Sequence, residues 1–248
     1  MEGAILYLDY LKGILPCKNP EETAAYYEKI LLFPKEGARS FALGRAGHME
    51  VVQSSQAYAV GPAAFWVEAN HVDHVYETVH AQHGLQLLVD LRDTYYGSRE
   101  FQVTDPAGNI TCIINYRTDL TDPARLASAA LYAKEEFRVV LYVKNLNACY
   151  RFYTELLGLK DVYHWEENRG DRGFKYEITP GSKCFIETLF REPLSVQKQG
   201  TIVLRNSDVK SEYDRIASLA PDAVVFAFDG FHFTIQDPDG NYVIIEKG

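Results

Sequence analysis

The side chains in this sequence that can do chemistry fall at strand-like spacing. In Gly47-His48-Met49-Glu50-Val51-Val52 an imidazole and a carboxylate alternate with apolar residues, so His48 and Glu50 share one face of a strand. Cys184-Phe185-Ile186-Glu187 carries a second carboxylate in an apolar run, and Ala64-Phe65-Trp66-Val67-Glu68 a third. Cys112 lies in the run Ile110-Thr111-Cys112-Ile113-Ile114. Imidazole, carboxylate and thiolate hold divalent metals, and the same groups line polar ligand pockets. Two HxxH pairs, His71/His74 and His80/His83, accompany a helix expected over 72–82. Its apolar stripe, Val72, Val75, Tyr76 and Val79, faces inward and leaves those histidines solvated. His164 lies in a polar segment, and His232 alternates with Phe231 and Phe233 at a rim or surface. No nucleophile elbow, phosphate loop or dinucleotide fingerprint occurs, and Gly170-Asp171-Arg172-Gly173 is too short and polar for a phosphate site.

The elements that must position these groups occur twice. Asp105-Pro106-Ala107-Gly108-Asn109 recurs as Asp237-Pro238-Asp239-Gly240-Asn241. Cys17-Lys18-Asn19 before a helix with Tyr27 recurs as Val143-Lys144-Asn145 before a helix with Tyr153, and the stretch 72–77 has its counterpart in 209–214. The repeat predicts two homologous halves, residues 1–118 and 135–248, joined over 119–134 by a helical connector that Thr121 caps. Strands and helices alternate in each half, which predicts an α+β fold of βαβββ modules, two per half. In the first half strands fall at 13–18, 40–44, 48–53, 63–69, 99–104 and 110–116, with helices at 20–31 and 72–82. In the second they fall near 138–143, 174–179, 183–190, 201–205, 231–236 and 242–246, with helices at 147–157 and 208–219. The main insertion, around 163–173, is polar and reads as a loop. The Asp-Pro-x-Gly-Asn motif reads as a hairpin turn: Asp caps it, Pro presets φ, and Gly supplies φ > 0.

Composition bounds the partners. The chain has 248 residues, 47% of them apolar and 24% charged, and a net charge of −9, which disfavours nucleic acid. No apolar run approaches the ~20 residues of a membrane helix, and the first residues lack a basic leader, so the expectation is a cytoplasmic protein with no membrane partner. Four cysteines without a CxxC pair read as free thiols in a reducing compartment.

These repeats resemble the vicinal oxygen chelate superfamily, which includes glyoxalase I, the bleomycin and fosfomycin resistance proteins and the extradiol dioxygenases. The carriers are Tyr142-Val143-Lys144-Asn145, Phe152 to Leu159 and Phe233 to Asn241 in the second half. In the first they are Asn19 to Tyr27, and Gly97-Ser98-Arg99-Glu100-Phe101 before Asp105 to Asn109. The resemblance implies the glyoxalase/bleomycin resistance/dihydroxybiphenyl dioxygenase-like fold, in which paired βαβββ modules form a cup around a ligand or metal. Two tandem domains then look like a fused dimer, which leaves a further homodimer open. The resemblance also implies four metal-ligand positions per cup. Here the first holds Lys12 and Arg138, the second Glu50 and Glu187, the third Ala64 and Thr201, and the fourth Cys112 and Ile244. One acid of four does not make the standard site, so no cofactor is expected. The alternative is a divalent metal at an atypical site, with Glu50, Cys112 and Glu187 as candidates and His48, Glu50, Glu68 and Cys112 converging.

In place of a metal, Lys12 would pair with Glu50, and Arg138 with Glu187, across neighbouring strands. Lys12, His48, Glu50, Trp66, Glu68, Arg138, Tyr142, Glu187 and Thr201 are the expected ligand-binding residues, and the expected partner is a small molecule. The Gly97–Phe101 stretch is most similar to the bleomycin resistance branch, whose members sequester a drug without chemistry; an acidic chain with aromatic cups suits planar, cationic ligands. The alternative function is a metal-dependent lyase, isomerase or dioxygenase.

Overall fold

A computed structural model of the chain describes residues 7–43, 47–55, 64–95, 97–116, 123–128, 130–166, 172–190 and 199–248. β1 (Tyr7–Cys17) leads into α1 (Pro20–Ala25), which runs on as a π-helical turn over Tyr26–Ile30, and β2 (Ser40–Leu43) and β3 (Gly47–Gln53) follow. β4 (Ala64–Ala69), α2 (Val72–His80), β5 (Leu87–Asp93), β6 (Ser98–Thr104) and β7 (Ile110–Tyr116) complete the first half. A short α3 (Pro123–Leu126) precedes β8 (Tyr132–Tyr142), α4 (Leu146–Arg151) with a π-helical turn over Phe152–Leu156, β9 (Lys160–Glu166), β10 (Arg172–Glu177) and β11 (Cys184–Phe190). The last unit is β12 (Thr201–Asn206), α5 (Val209–Leu219), β13 (Val224–Phe226), β14 (His232–Gln236) and β15 (Tyr242–Lys247). Among the described residues no helix is long and apolar enough to cross a membrane.

Short polar caps start the helices. Asn19 and Asn145 accept the backbone N–H groups of Glu22 and Ala148, which gives the repeated Lys-Asn pair its role. His71, expected to be solvated, caps α2 by accepting the N–H of His74.

The strands form two sheets whose membership crosses the halves. The seven-stranded sheet runs β13-β14-β15-β12-β1-β3-β2, and the eight-stranded sheet runs β5-β6-β7-β4-β8-β11-β10-β9. The first module therefore pairs with the fourth and the second with the third. The seams are antiparallel: Lys12 lies opposite Val203, and Trp66 opposite Arg138. One apolar core holds the odd-numbered face of β1 (Leu11, Leu15) and β12's Ile202 and Leu204, together with Phe65, Val67, Phe137, Val139 and Leu141 from the other sheet and the inner faces of the helices. The sheets touch where glycine leaves room. A side chain at Gly13 would overlap the ring of Phe65, and one at Gly47 that of Phe137. The opposite faces of the two sheets turn away from this core as two separate cups.

Three expectations change. The connector is helical only over Pro123–Leu126, and β8 begins at Tyr132 rather than near 138; Thr121 lies outside the described residues. The polar stretch expected as a loop supplies β9 and the start of β10, a partly exposed edge hairpin whose polar residues face solvent. β5, another mostly exposed edge strand, lacks the apolar alternation that would have marked it.

Candidate functional site

The sheet partnership regroups the expected residues. His48 and Glu50 lie on β3 of the seven-stranded sheet, whereas Glu68 and Cys112 lie on β4 and β7 of the other. The expected convergence of these four does not occur, because β3 and β4 belong to different sheets. Thr201 joins Lys12 and Glu50 in the first cup. Trp66, Glu68, Arg138, Tyr142 and Glu187 share the second.

In the cup of the seven-stranded sheet, Ile14, Val52, Val203 and Ile244 form a small apolar floor. Beside it Lys12 donates to Glu50 at 3.0 Å and stands 4.0 Å from Glu246, which accepts from Arg205 at 3.0 Å. The Arg205 guanidinium lies 3.5 Å over the ring of Tyr10, and His48 stacks on the same residue with centroids 4.5 Å apart. His48 Nδ1 is 2.8 Å from Glu36. Burial works against the Lys12 ammonium, but the hydrogen bond and charge of Glu50 outweigh it and hold this amine above its ordinary range.

The cup of the eight-stranded sheet is deeper in charge and richer in rings. Arg138 donates from Nη1 to Glu187 at 3.2 Å and from Nε to Glu136. Lys175 donates to Glu136 at 2.8 Å and lies 3.8 Å over the ring of Phe185. Arg138 also sits 5.1 Å over Trp66. Burial pushes the Glu187 carboxyl up, against the lowering charges of Arg138 and Lys175. Burial and the charge of Arg138 push the Lys175 amine down. Farther along, Glu100 accepts from Arg92 at 3.0 Å and from the thiol of Cys112 at 3.7 Å. Burial, reinforced by Glu100, raises that thiol well above its usual range. Ala64, Val140 and Leu189 form the floor, with half-buried Trp66, Ile110, Tyr142 and Trp165 against it.

Both expected ion pairs thus form. Strand alternation missed three partners: Glu136, Lys175 and Trp165. Glu136 lies two residues before Arg138 on the same strand face, a signal that the sequence carried. Trp165 belongs to the stretch read as a loop, and Lys175 lies on the strand expected near 174–179, whose cup face was not assigned.

Among the described residues no three His, Cys, Asp or Glu side chains gather so that they could hold a metal ion. The donor chemistry also disagrees with one. The first-position cations neutralise the acids beside them, and Cys112 is a buried, protonated thiol, so these residues do not fit the metal that the resemblance implied.

The sequence matches no protein-family model and no curated protein. The fold does have counterparts. A single-site variant of glyoxalase I from Zea mays superposes over 95% of this chain and 92% of its own, with a TM-score of 0.73 at 14% identity. Glyoxalase I from Zea mays itself gives 0.70 at 13% identity, over 95% and 91%. This chain has the vicinal oxygen chelate fold. A dioxygenase-like protein of Bacillus subtilis shares it, with a TM-score of 0.62 at 11% identity over 95% of this chain and 84% of the other. The vicinal oxygen chelate fold explains the module order and the two cups.

Proposed function

We propose that the chain binds a small molecule in a cup of this fold, without the metal set that the family resemblance implies and without turning it over. The supporting observation is the occupancy of the first-strand positions. Arg138 is bonded to Glu136 and Glu187 under the ring of Trp66, and Lys12 is bonded to Glu50. Paired charges that orient a polar group beside half-buried rings are the makings of a binding pocket. The nucleophile that does meet a carboxylate, Cys112 beside Glu100 at 3.7 Å, is a buried thiol whose pKa burial and that acid raise rather than lower. The alternative, a metal-dependent lyase, isomerase or dioxygenase, separates on metal.

The test is a thermal-shift screen of small aromatic and polar compounds, repeated with a chelator, with each hit recovered and weighed by mass spectrometry. Chelator-insensitive stabilisation by an unchanged compound is the expected result. A stoichiometric metal with chelator-sensitive turnover overturns it.

A further inference from the structure

The internal repeat provides its own control, because the two cups can be compared position by position. Where the eight-stranded sheet has Trp66 and Tyr142, the seven-stranded sheet has Val203 and Pro16 at the matching points of β12 and β1. Trp165, on β9, has no matching strand among the described residues of the other sheet, whose edge is β2. Among the described residues the smaller cup carries Tyr10, engaged by His48 and Arg205, and half-buried Tyr242 at the start of β15. The larger cup carries half-buried Trp66, which the Arg138 guanidinium faces, with Tyr142 and Trp165.

A second observation marks those rings as a built surface. Gly173 pairs with Trp165 across β10 and β9, and a side-chain carbon there would overlap the Trp165 indole and crowd the Thr188 carbonyl. The glycine lets the indole lie flat across the sheet, with Tyr163 stacked beside it at 6.1 Å and 16°. A flat, supported ring next to an aliphatic floor presents a π-face to a planar ligand. At the charged end of the cup, Arg138 Nη2 donates to none of the described residues, and Lys175 has one acceptor among them, Glu136, for its three N–H groups. Their acid Glu187 lies deeper, with 3% of its side chain exposed against 10% for Arg138 and 14% for Lys175; Glu136, at 18%, is more exposed but already accepts from both cations. The N–H groups that these bonds leave over are donors.

We infer that the cup of the eight-stranded sheet, and not its counterpart, takes a planar aromatic ligand bearing an oxygen acceptor, of which an aromatic carboxylate is the simplest form. Its ring lies against Trp165 and Trp66, and its oxygens meet Arg138 and Lys175. This rests on the small-molecule reading above and sharpens it.

The chain's two tryptophans are both in this cup, so labelling with 5-fluorotryptophan gives two fluorine resonances that report it alone. The ring resonances of His48 report the other cup. The probes are 2-naphthoate, naphthalen-2-ylmethylammonium and cyclohexanecarboxylate, with affinities from calorimetry. The expected result is that 2-naphthoate shifts both fluorine signals and leaves His48 unmoved, and that the other two bind at least about tenfold more weakly. Trp165→Ala then weakens 2-naphthoate about tenfold, Trp165→Phe less, and Gly173→Ala about as much as Trp165→Ala. Equal or tighter binding of the ammonium or the cyclohexane acid overturns the ligand class, and a response at His48 without the tryptophans overturns the cup; both leave the small-molecule reading standing. Failure of all three probes to bind also overturns the inference, while the broader screen alone decides the reading beneath it.

Discussion

Arg138 carries two acids, and its removal would orphan the more deeply buried one. Arg138→Ala is expected to destabilise the chain by about 3–5 kcal/mol near neutral pH, because Glu187 keeps a buried charge with Lys175 as its remaining counter-charge. The sign with pH follows from the raised Glu187 carboxyl. Without Arg138 its folded-state pKa rises further above the unfolded value, so the penalty is full only above that folded pKa, shrinks as pH falls through it and is gone below the unfolded value of ~4.3. Denaturant melts at pH 7.5 and pH 5 check this; equal losses at both would refute the assignment. Gly173→Ala is the second residue-scale prediction. It displaces the Trp165 indole, at about 1–3 kcal/mol of stability and with a changed tryptophan emission. A melting curve and spectrum identical to the parent's would count against the packing described. The ion pairs were legible in the sequence because period-two alternation assigns faces. Trp165 was not, because an edge strand exposed on one side has the polarity of a loop.

The Asp-Pro-x-Gly-Asn hairpins do more than turn the chain. Gly108 and Gly240 have the positive φ that the motif needs, and each Asp accepts the backbone N–H groups two and four residues on. The same carboxylates also accept the hydroxyls of Tyr27, at 3.2 Å, and Tyr153, at 3.1 Å. Tyr27 belongs to the first module and Asp105 to the second, so each bond ties one sheet's unit to the other's. The turn was legible from Pro and Gly. The tie was not, because a buried acid's distant donor leaves no local pattern. Asp239 adds a tie found in one half only: it accepts the N–H groups of Lys144 and Asn145 at 2.7 and 2.8 Å, where the first half has Ala107. Asp239→Ala is expected to lower stability by about 1–3 kcal/mol, while Ala107→Ser changes it by less than about 0.5 kcal/mol. Chemical denaturation of both variants decides; equal effects would remove the tie's energetic role.

At the scale of the molecule, the repeat gave two copies from offsets alone, but it did not say which module pairs with which. The strands at the seams, β1 with β12 and β4 with β8, each alternate between a core face and a cup face, and that alternation is satisfied equally by pairing within a half or across halves. Crossing has a consequence for dissection. Residues 1–118 and 135–248 each contain one module of each sheet, so neither alone completes a cup. Expressed separately, each half is expected to be unfolded or dimeric rather than a stable monomer, and the two together to reassociate; ultracentrifugation checks this. A folded, monomeric half would refute it.

The crossing also imposes an order in time. The larger sheet is complete once β11 has left the ribosome, whereas one long edge of β1 waits for β12, from nearly the opposite end of the chain. At ordinary rates of synthesis that edge stays open for on the order of several seconds after β8 emerges. During that interval the nascent protein presents unpaired strand backbone, the kind of surface that recruits chaperones or mispairs with a neighbour. Nascent chains stalled with β12 still inside the ribosome should therefore resist protease over β4 to β11 and remain sensitive at β1.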